Sequence, residues 1–232
     1  MLPVAILAGG LATRLWPITE TIPKSLVEVA GRPFILRQLA YLRDQGVRRV
    51  VLCIGYLGEM IEEVVGTGEL LGLEVTYSLD GPNLLGTGGA LKKAAPLLGE
   101  RFFVLYGDSF LPVNFRSVQD VFECSDRDAL MTVLHNEDCW DKSNVRFQDG
   151  QLLEYNKRDP RKGMAHIDYG LGVLSAGALR GYPDGQVLDL ADVYRDLSMQ
   201  GRLAGMEVYQ RFYEIGSHDG LKDAGAYFLN KE

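Results

Sequence analysis

At 232 residues, with 47% hydrophobic and 24% charged content, the chain has the proportions of a soluble globular protein and enough length to bury a sizeable core as one domain. A formal net charge of −7 removes the basic surface that non-specific nucleic-acid binding requires, and no apolar run is long enough to cross a bilayer. Three cysteines, Cys53, Cys124 and Cys139, lack C-x-x-C or zinc-type spacing, and no basic segment, apolar stretch and cleavage site stand in series at the start. Reduced thiols in a cytoplasmic protein are therefore expected.

The first predicted element is a buried parallel strand over Val4–Leu7, four apolar residues that run into Leu7-Ala8-Gly9-Gly10-Leu11-Ala12-Thr13-Arg14-Leu15. Glycines at a strand end let the backbone turn tightly and bring N–H donors close to an anion. A Gly-Gly pair alone marks only a turn. Arg14, with its planar fork, and Lys24, a compact point charge after Ile22-Pro23, turn this one into a candidate triphosphate cradle. Neither G-x-x-x-x-G-K-[ST] nor G-x-G-x-x-G is present, which sets aside the P-loop and dinucleotide classes.

Apolar spacing through Phe34, Leu36, Leu39 and Leu42 predicts a helix from about Pro33 to Gln45, followed by a strand over Arg48–Ile54, a helix over Gly58–Val65 and a strand over Leu73–Ser78. The strand–helix alternation implies a parallel sheet with right-handed crossovers. A second glycine loop, Leu85-Gly86-Thr87-Gly88-Gly89-Ala90-Leu91, opens a helix through Leu98, whose first amides are placed to meet a ligand. Phe102–Tyr106 is the next strand. It ends in Gly107-Asp108-Ser109, which puts a carboxylate at the carboxyl end of a parallel strand, where open α/β sheets bind ligands. Asp108 suits Mg²⁺, a cation held by one or two carboxylates together with water and phosphates; an Asp in such a turn also suits simple capping.

A helix over Phe115–Cys124 and a strand over Ala129–Leu134 continue the β/α series. Asn144–Phe147, Asp149-Gly150 and Leu152–Tyr155 then read as a hairpin with positive-φ turn chemistry. His166–Val173 reads as a strand, Val187–Gln200 as a helix, Leu203–Val208 as a strand, and Ser217 caps a terminal helix. His135, His166 and His218 stand apart without H-E-x-x-H or a nucleophile elbow, and no catalytic role is expected of them. No repeat or low-complexity tract occurs.

L-A-G-G-x-x-T-R-L-x-P-x-T-x-x-x-P-K, as it stands here from Leu7 to Lys24, resembles the opening signature of the sugar-1-phosphate nucleotidylyltransferases. The likeness continues through Gly86-Thr87-Gly88-Gly89, Gly107-Asp108-Ser109 and Glu214-Ile215-Gly216-Ser217. It implies a Rossmann-like α/β fold with a mixed, mainly parallel sheet flanked by helices, and transfer of a nucleotidyl group from an NTP to a sugar 1-phosphate with release of pyrophosphate. By this resemblance Leu7, Ala8, Gly9, Gly10, Thr13, Arg14, Lys24, Gly88 and Gly89 meet the NTP, with Arg14, Lys24 and Asp108 in catalytic roles. Asp108 and Glu214 are the Mg²⁺ ligands it implies, Glu214 standing where the family more often has Asp. Lys157 meets the sugar phosphate, although Glu154-Tyr155-Asn156-Lys157 departs from the family's Glu-Lys-Pro wording. Asp168, Tyr169 and Gly170 meet the sugar, while Tyr169 also suits packing at a strand edge and Asp168 a local hydrogen bond.

NTP contacts are expected mainly in residues 1–110 and sugar-phosphate contacts in 111–232. The compact length and the two segments Gly86–Gly89 and Asp168–Gly170 most resemble heptose and hexose 1-phosphate guanylyl- and uridylyltransferases, and a heptose-type acceptor with GTP is the expectation. Three rivals stand beside it: a cytidylyltransferase for phosphocholine or another non-sugar phosphate, a non-catalytic regulatory subunit on the same fold, and an NAD-dependent oxidoreductase. Arg14, Lys24 and Asp108 argue against the second, and the missing fingerprint against the third.

Overall fold

The computed structural model describes residues 1–231. The strands and helices in chain order are β1 (Val4–Leu7), β2 (Glu28–Val29), β3 (Arg32–Pro33), α1 (Phe34–Asp44), β4 (Arg49–Ile54), α2 (Gly58–Val65), β5 (Glu74–Leu79), α3 (Gly86–Leu98), β6 (Arg101–Tyr106), β7 (Ser109–Phe110) and α4 (Phe115–Cys124). β8 (Ala129–His135), β9 (Val145–Gln148), β10 (Gln151–Tyr155), β11 (His166–Ser175), α5 (Leu190–Met199), β12 (Leu203–Val208), β13 (Tyr213–Glu214) and α6 (His218–Leu229) complete it.

One nine-stranded sheet carries the path β10-β9-β11-β6-β1-β4-β5, with β8 bonded to β11 and β12 to β8. β1 lies parallel between β4 and β6, in the register Leu7 to Cys53 and Leu7 to Tyr106, so three strand ends open together beside Ala8. The chain leaves β1 for one side and β6 for the other, which creates the crevice that open α/β sheets use for ligands. Val4, Ala5 and Ile6 are fully buried, the pattern of a strand covered on both faces. α1, α2 and α4 cover one face through Leu39, Ile61 and Phe115; α3 and α5 cover the other through Leu91, Ala94 and Leu197. A third cluster, with Phe34, Phe110, Ile215 and Phe228, seats α6 beside the carboxyl ends of the strands.

The mixed, mainly parallel sheet flanked by helices is as expected, and the regular parallel series stops at β6. β8 is not the next parallel neighbour: β11 is inserted antiparallel between β6 and β8. The Asp149-Gly150 turn has φ of 50° and 74°, as the hairpin demands. α5 begins at Leu190 and not at Val187, because Asp189 accepts from the Ala191 N–H as its cap while Leu188 bonds backward to the start of α3. The ribbons β2–β3 and β7–β13, each two residues per strand, gave no periodic signal.

Candidate active site

Ala8 N–H donates to Cys53 O at 2.8 Å and Gly107 N–H to Leu7 O at 2.9 Å, locking the three strand ends together. A Cβ at Gly9 would meet Gly55 N at 3.0 Å, and one at Gly107 would meet the Ala8 Cβ at 2.9 Å. These glycines are there for close approach of backbone to backbone. Gly10 has nothing within 4 Å of its Cβ position and faces open space. The result is a cavity of about 240 Å³ lined by the cradle (Leu7, Ala8, Gly9, Gly10), by Gly86 and Thr87, by Tyr106, Gly107 and Asp108, and by Lys24.

At its rim the Lys24 Nζ donates to Asp108 Oδ2 at 2.6 Å, an ion pair about three-quarters shielded from water. Gln38 of α1, buried, donates its Nε2 to Tyr106 O at 2.9 Å and to Ser109 O at 2.6 Å, gripping the turn that carries Asp108 on both sides. Two carbonyl partners fix which end of that amide is the nitrogen. Ile215 N–H donates to Asp108 O at 2.9 Å and Glu214 pairs with Ser109 across β13–β7, so Glu214 is brought beside Asp108. Crowding by surrounding protein, and next the Asp108 charge, push the Glu214 carboxyl up from 4.5 to about 7 against the pull of Lys24. Glu214 keeps an open side to water, which tempers the size of that shift and not its direction.

Lys157 follows β10 in a turn held by the Asn156 Oδ1, which accepts from Asp159 N–H at 3.0 Å. Burial raises the carboxyls of both Asp168 and Glu214, and the Lys157 charge partly offsets each, so Lys157 is near enough to both to act on them. Gly170 N–H donates to the Asp168 Oδ1 at 3.0 Å. Gly170, at φ 99°, leaves room against Leu111 and Tyr106.

Other expected residues are placed differently. Tyr169 alternates away from Asp168 along β11, is 2% exposed and packs edge-on against Phe212 in the core, so its ring is not in the cleft. Gly88 and Gly89 are turned from the cavity: both N–H groups donate to Leu188 O, at 2.8 and 3.2 Å, which uses the amides expected to meet a ligand. A Cβ at Gly88 would meet Leu188 Cγ at 2.8 Å. The preceding pair of the same loop, Gly86 and Thr87, faces the cavity instead. Thr13 and Arg14 lie exposed in a 3₁₀ turn outside the lining, and Arg14 carries no ion pair among the described residues.

Sequence reasoning missed Gln38, whose signal is indistinguishable from any polar residue on a helix. It also missed Asp80, a lining carboxylate that accepts from Leu85 N–H at 3.2 Å and is raised by its burial. Among the described residues no three His, Cys, Asp or Glu side chains form a metal-binding group. Asp108 and Glu214 do fit a hard cation: two neighbouring carboxylates, the second driven toward protonation first by burial and next by the Asp108 charge, with Lys24 as the counter-charge of Asp108, offer oxygens that Mg²⁺ would take together with others from water and phosphate. Among the described residues no helix is long and apolar enough to cross a membrane.

The nucleotidyl transferase family model matches residues 4–141, spanning the cradle, the second glycine loop and the Asp108 turn. The chain belongs to that family and is an enzyme of it. Among its relatives, the N-acetylmuramate alpha-1-phosphate uridylyltransferase of Neisseria meningitidis is 30% identical over 227 residues, covering 95% of this chain and 96% of its own. The D-glycero-alpha-D-manno-heptose 1-phosphate guanylyltransferase of Campylobacter jejuni is 28% identical, over 90% of this chain and 85% of its own. The solved structure of HddC from Yersinia pseudotuberculosis complexed with GMP-PN superposes with a TM-score of 0.80 at 26% identity, covering 98% of this chain and 100% of that one.

Proposed function

We infer that the chain is a sugar-1-phosphate nucleotidylyltransferase: an oxygen of the sugar phosphate attacks the α-phosphorus of an NTP, the α–β bond breaks, and NDP-sugar and pyrophosphate leave. The observation that carries the reading is the Lys24–Asp108 ion pair at the rim of a glycine-walled cavity, with Glu214 beside Asp108 and the Lys157 charge acting on Glu214. A phosphate monoester is already a capable nucleophile near neutral pH, so the protein needs no triad. It needs positioning and charge.

In this reading residues 1–110 hold the NTP. The amides of the cradle, from Leu7 to Gly10, meet the phosphates, Thr13 and Arg14 come in from the exposed turn, and Lys24 is held ready by Asp108 and moves to the phosphoryl oxygens as charge builds. The Gly86–Gly89 loop walls the base and ribose, with Gly88 and Gly89 shaping it from behind. Residues 111–232 hold the acceptor, with Lys157 on its phosphate and Asp168 and Gly170 at its hydroxyls; Tyr169 supports that strand from the core. Asp108 and Glu214 would hold Mg²⁺, which when bound neutralises charge on the phosphates. The cytoplasm, where NTPs are supplied and where three free thiols stay reduced, is the compartment this implies.

For the substrates we put forward GTP and a heptose 1-phosphate, supported by the Campylobacter jejuni relative and by the likeness to HddC complexed with GMP-PN. UTP with an N-acetylmuramate 1-phosphate is the second reading, favoured by the Neisseria meningitidis relative. Pyrophosphate release across a matrix of the four NTPs and heptose, mannose, glucose and N-acetylmuramate 1-phosphates decides between them. Release with phosphocholine and CTP, and with no sugar phosphate, would overturn the sugar assignment.

A further inference from the structure

A ladder of rings and cations runs along the acceptor half, and nothing in the reaction described so far uses it. The Arg211 guanidinium lies 4.0 Å from the Trp140 ring centroid and 4.7 Å from that of Tyr213. Tyr213 is stacked on Tyr227 at 4.1 Å, and the Lys231 Nζ lies 4.7 Å from the Tyr227 ring. Asp223 fixes Arg211 from the side, its Oδ2 accepting from the guanidinium at 3.0 Å. The lower rungs are continuous with the buried cluster of Phe110 and Phe228. Trp140 is the top rung, and it is 45% exposed although one face is covered by Arg211.

The loop that carries Trp140 is stiff. Asn136 donates its Nδ2 to Asp141 O and to Ser143 Oγ, accepts from Trp140 N–H at 3.1 Å, and is itself buried; Asp138 Oδ1 accepts from Ser143 N–H at 2.7 Å. Its position near the expected acceptor residues follows from its two anchors. Asn144 Oδ1, at the far end of the loop, accepts from Asp168 N–H at 2.9 Å, and Arg211, which covers Trp140, also covers Tyr213, the residue before Glu214. The loop thus ties the Asp168 segment of β11 to β13 beside Glu214, with Trp140 on the β13 side. An indole ring there, clamped in one orientation before any ligand arrives, offers its electron-rich face to the C–H face of a pyranose at little entropic cost.

We propose that Trp140, held flat by Arg211, is the platform on which the glycosyl ring of the acceptor stacks while its phosphate reaches Lys157. This rests on the reading of the chain as a sugar-1-phosphate nucleotidylyltransferase. An indole face would stack a nucleobase equally well, so what assigns it to the acceptor is its place on the loop tied to Asp168, away from the Gly86–Gly89 loop.

The sequence has two tryptophans, so Trp16→Phe leaves Trp140 as the one emitter. That protein is titrated with mannose, glucose, heptose and N-acetylmuramate 1-phosphates, and separately with each NTP. The sugar phosphate that supports pyrophosphate release should change Trp140 emission saturably, while the NTPs alone do not. Trp140→Ala should raise the acceptor KM roughly tenfold and leave the NTP KM within about twofold, with Trp140→Phe recovering most of the loss. The emission titration retains Trp140 and so does not depend on how well the alanine variant folds. An unmoved emission at saturating acceptor, or an unmoved acceptor KM in Trp140→Ala, overturns the proposal while turnover by the unsubstituted enzyme keeps the reaction assignment standing. No pyrophosphate from any pair of substrates would instead strike the reaction assignment, and the platform with it.

Discussion

Gln38→Leu is the substitution that most sharply connects packing to chemistry here. The wild-type amide gives hydrogen bonds to Tyr106 O and Ser109 O, and its own Oε1 is buried with no partner among the described residues. Leucine has nearly the same volume, so no large cavity opens. Two carbonyls lose their donor, costing about 1–1.5 kcal/mol each, and removal of the unpaired oxygen returns about 1 kcal/mol. The net loss is about 1–2 kcal/mol, a fall in Tm of about 2–8 °C for a chain of this size. The chemical effect should be larger in proportion, because the freed turn carries Asp108 and a small misplacement of a charge-stabilising group costs turnover steeply. Calorimetry with steady-state pyrophosphate release should show the modest Tm loss, a kcat lowered about tenfold or more, and an NTP KM that moves less than kcat. Unchanged kcat with the full Tm loss would refute the view that Gln38 positions the Asp108 turn.

Asp108→Asn should lower turnover by roughly 10²-fold or more, and excess chelator should abolish it in the parent enzyme; full activity in either assay contradicts the Mg²⁺ assignment. Glu214, with its carboxyl raised from 4.5 to about 7, binds a proton in the folded state that the unfolded chain has lost, so metal-free stability should fall as pH rises through that window and Mg²⁺ should restore it. Melting curves at pH 5 and pH 8, with and without Mg²⁺, check this, and Glu214→Gln should remove the dependence. Lys157→Ala should raise the acceptor KM more than the NTP KM, with the reverse order for Arg14→Ala and Lys24→Ala; isothermal titration that finds only NTP binding weakened in Lys157→Ala would end its role at the sugar phosphate. Gly10→Ala meets no neighbour and should keep Tm while weakening NTP binding, whereas Gly88→Ala drives a Cβ toward Leu188 Cγ and should cost about 1–3 kcal/mol of stability with little direct effect on affinity.

What the sequence made legible follows from which signals are local. The β1 cradle announced itself because a buried strand, a Gly-Gly turn and two cations fall within Val4–Lys24, and the Asp149-Gly150 hairpin because its turn demands positive φ at both positions. The antiparallel insertion of β11 between β6 and β8 was hidden, since an apolar strand carries the same residues in either direction. Gly88 and Gly89 looked like ligand-facing glycines because a close approach to a ligand and a close approach to Leu188 ask the same thing of a side chain. Tyr169 stood in a segment expected to meet the sugar, and the two-residue period of the strand turned it to the core. Gln38, Trp140 and Arg211 act through partners 68 or more residues away or through stacked rings, and no window of sequence contains those.

The central claim is that an oxygen of a sugar phosphate becomes the bridge to the α-phosphorus of an NTP. The direct measurement uses a sugar 1-phosphate carrying ¹⁸O in its phosphate, incubated with the preferred NTP and Mg²⁺ and followed by mass spectrometry of both products. The account predicts that the NDP-sugar retains all of the label and that the pyrophosphate is unlabelled and equal in amount. Label in the pyrophosphate, loss of label from the sugar nucleotide, or pyrophosphate formed at the same rate without the sugar phosphate would contradict it.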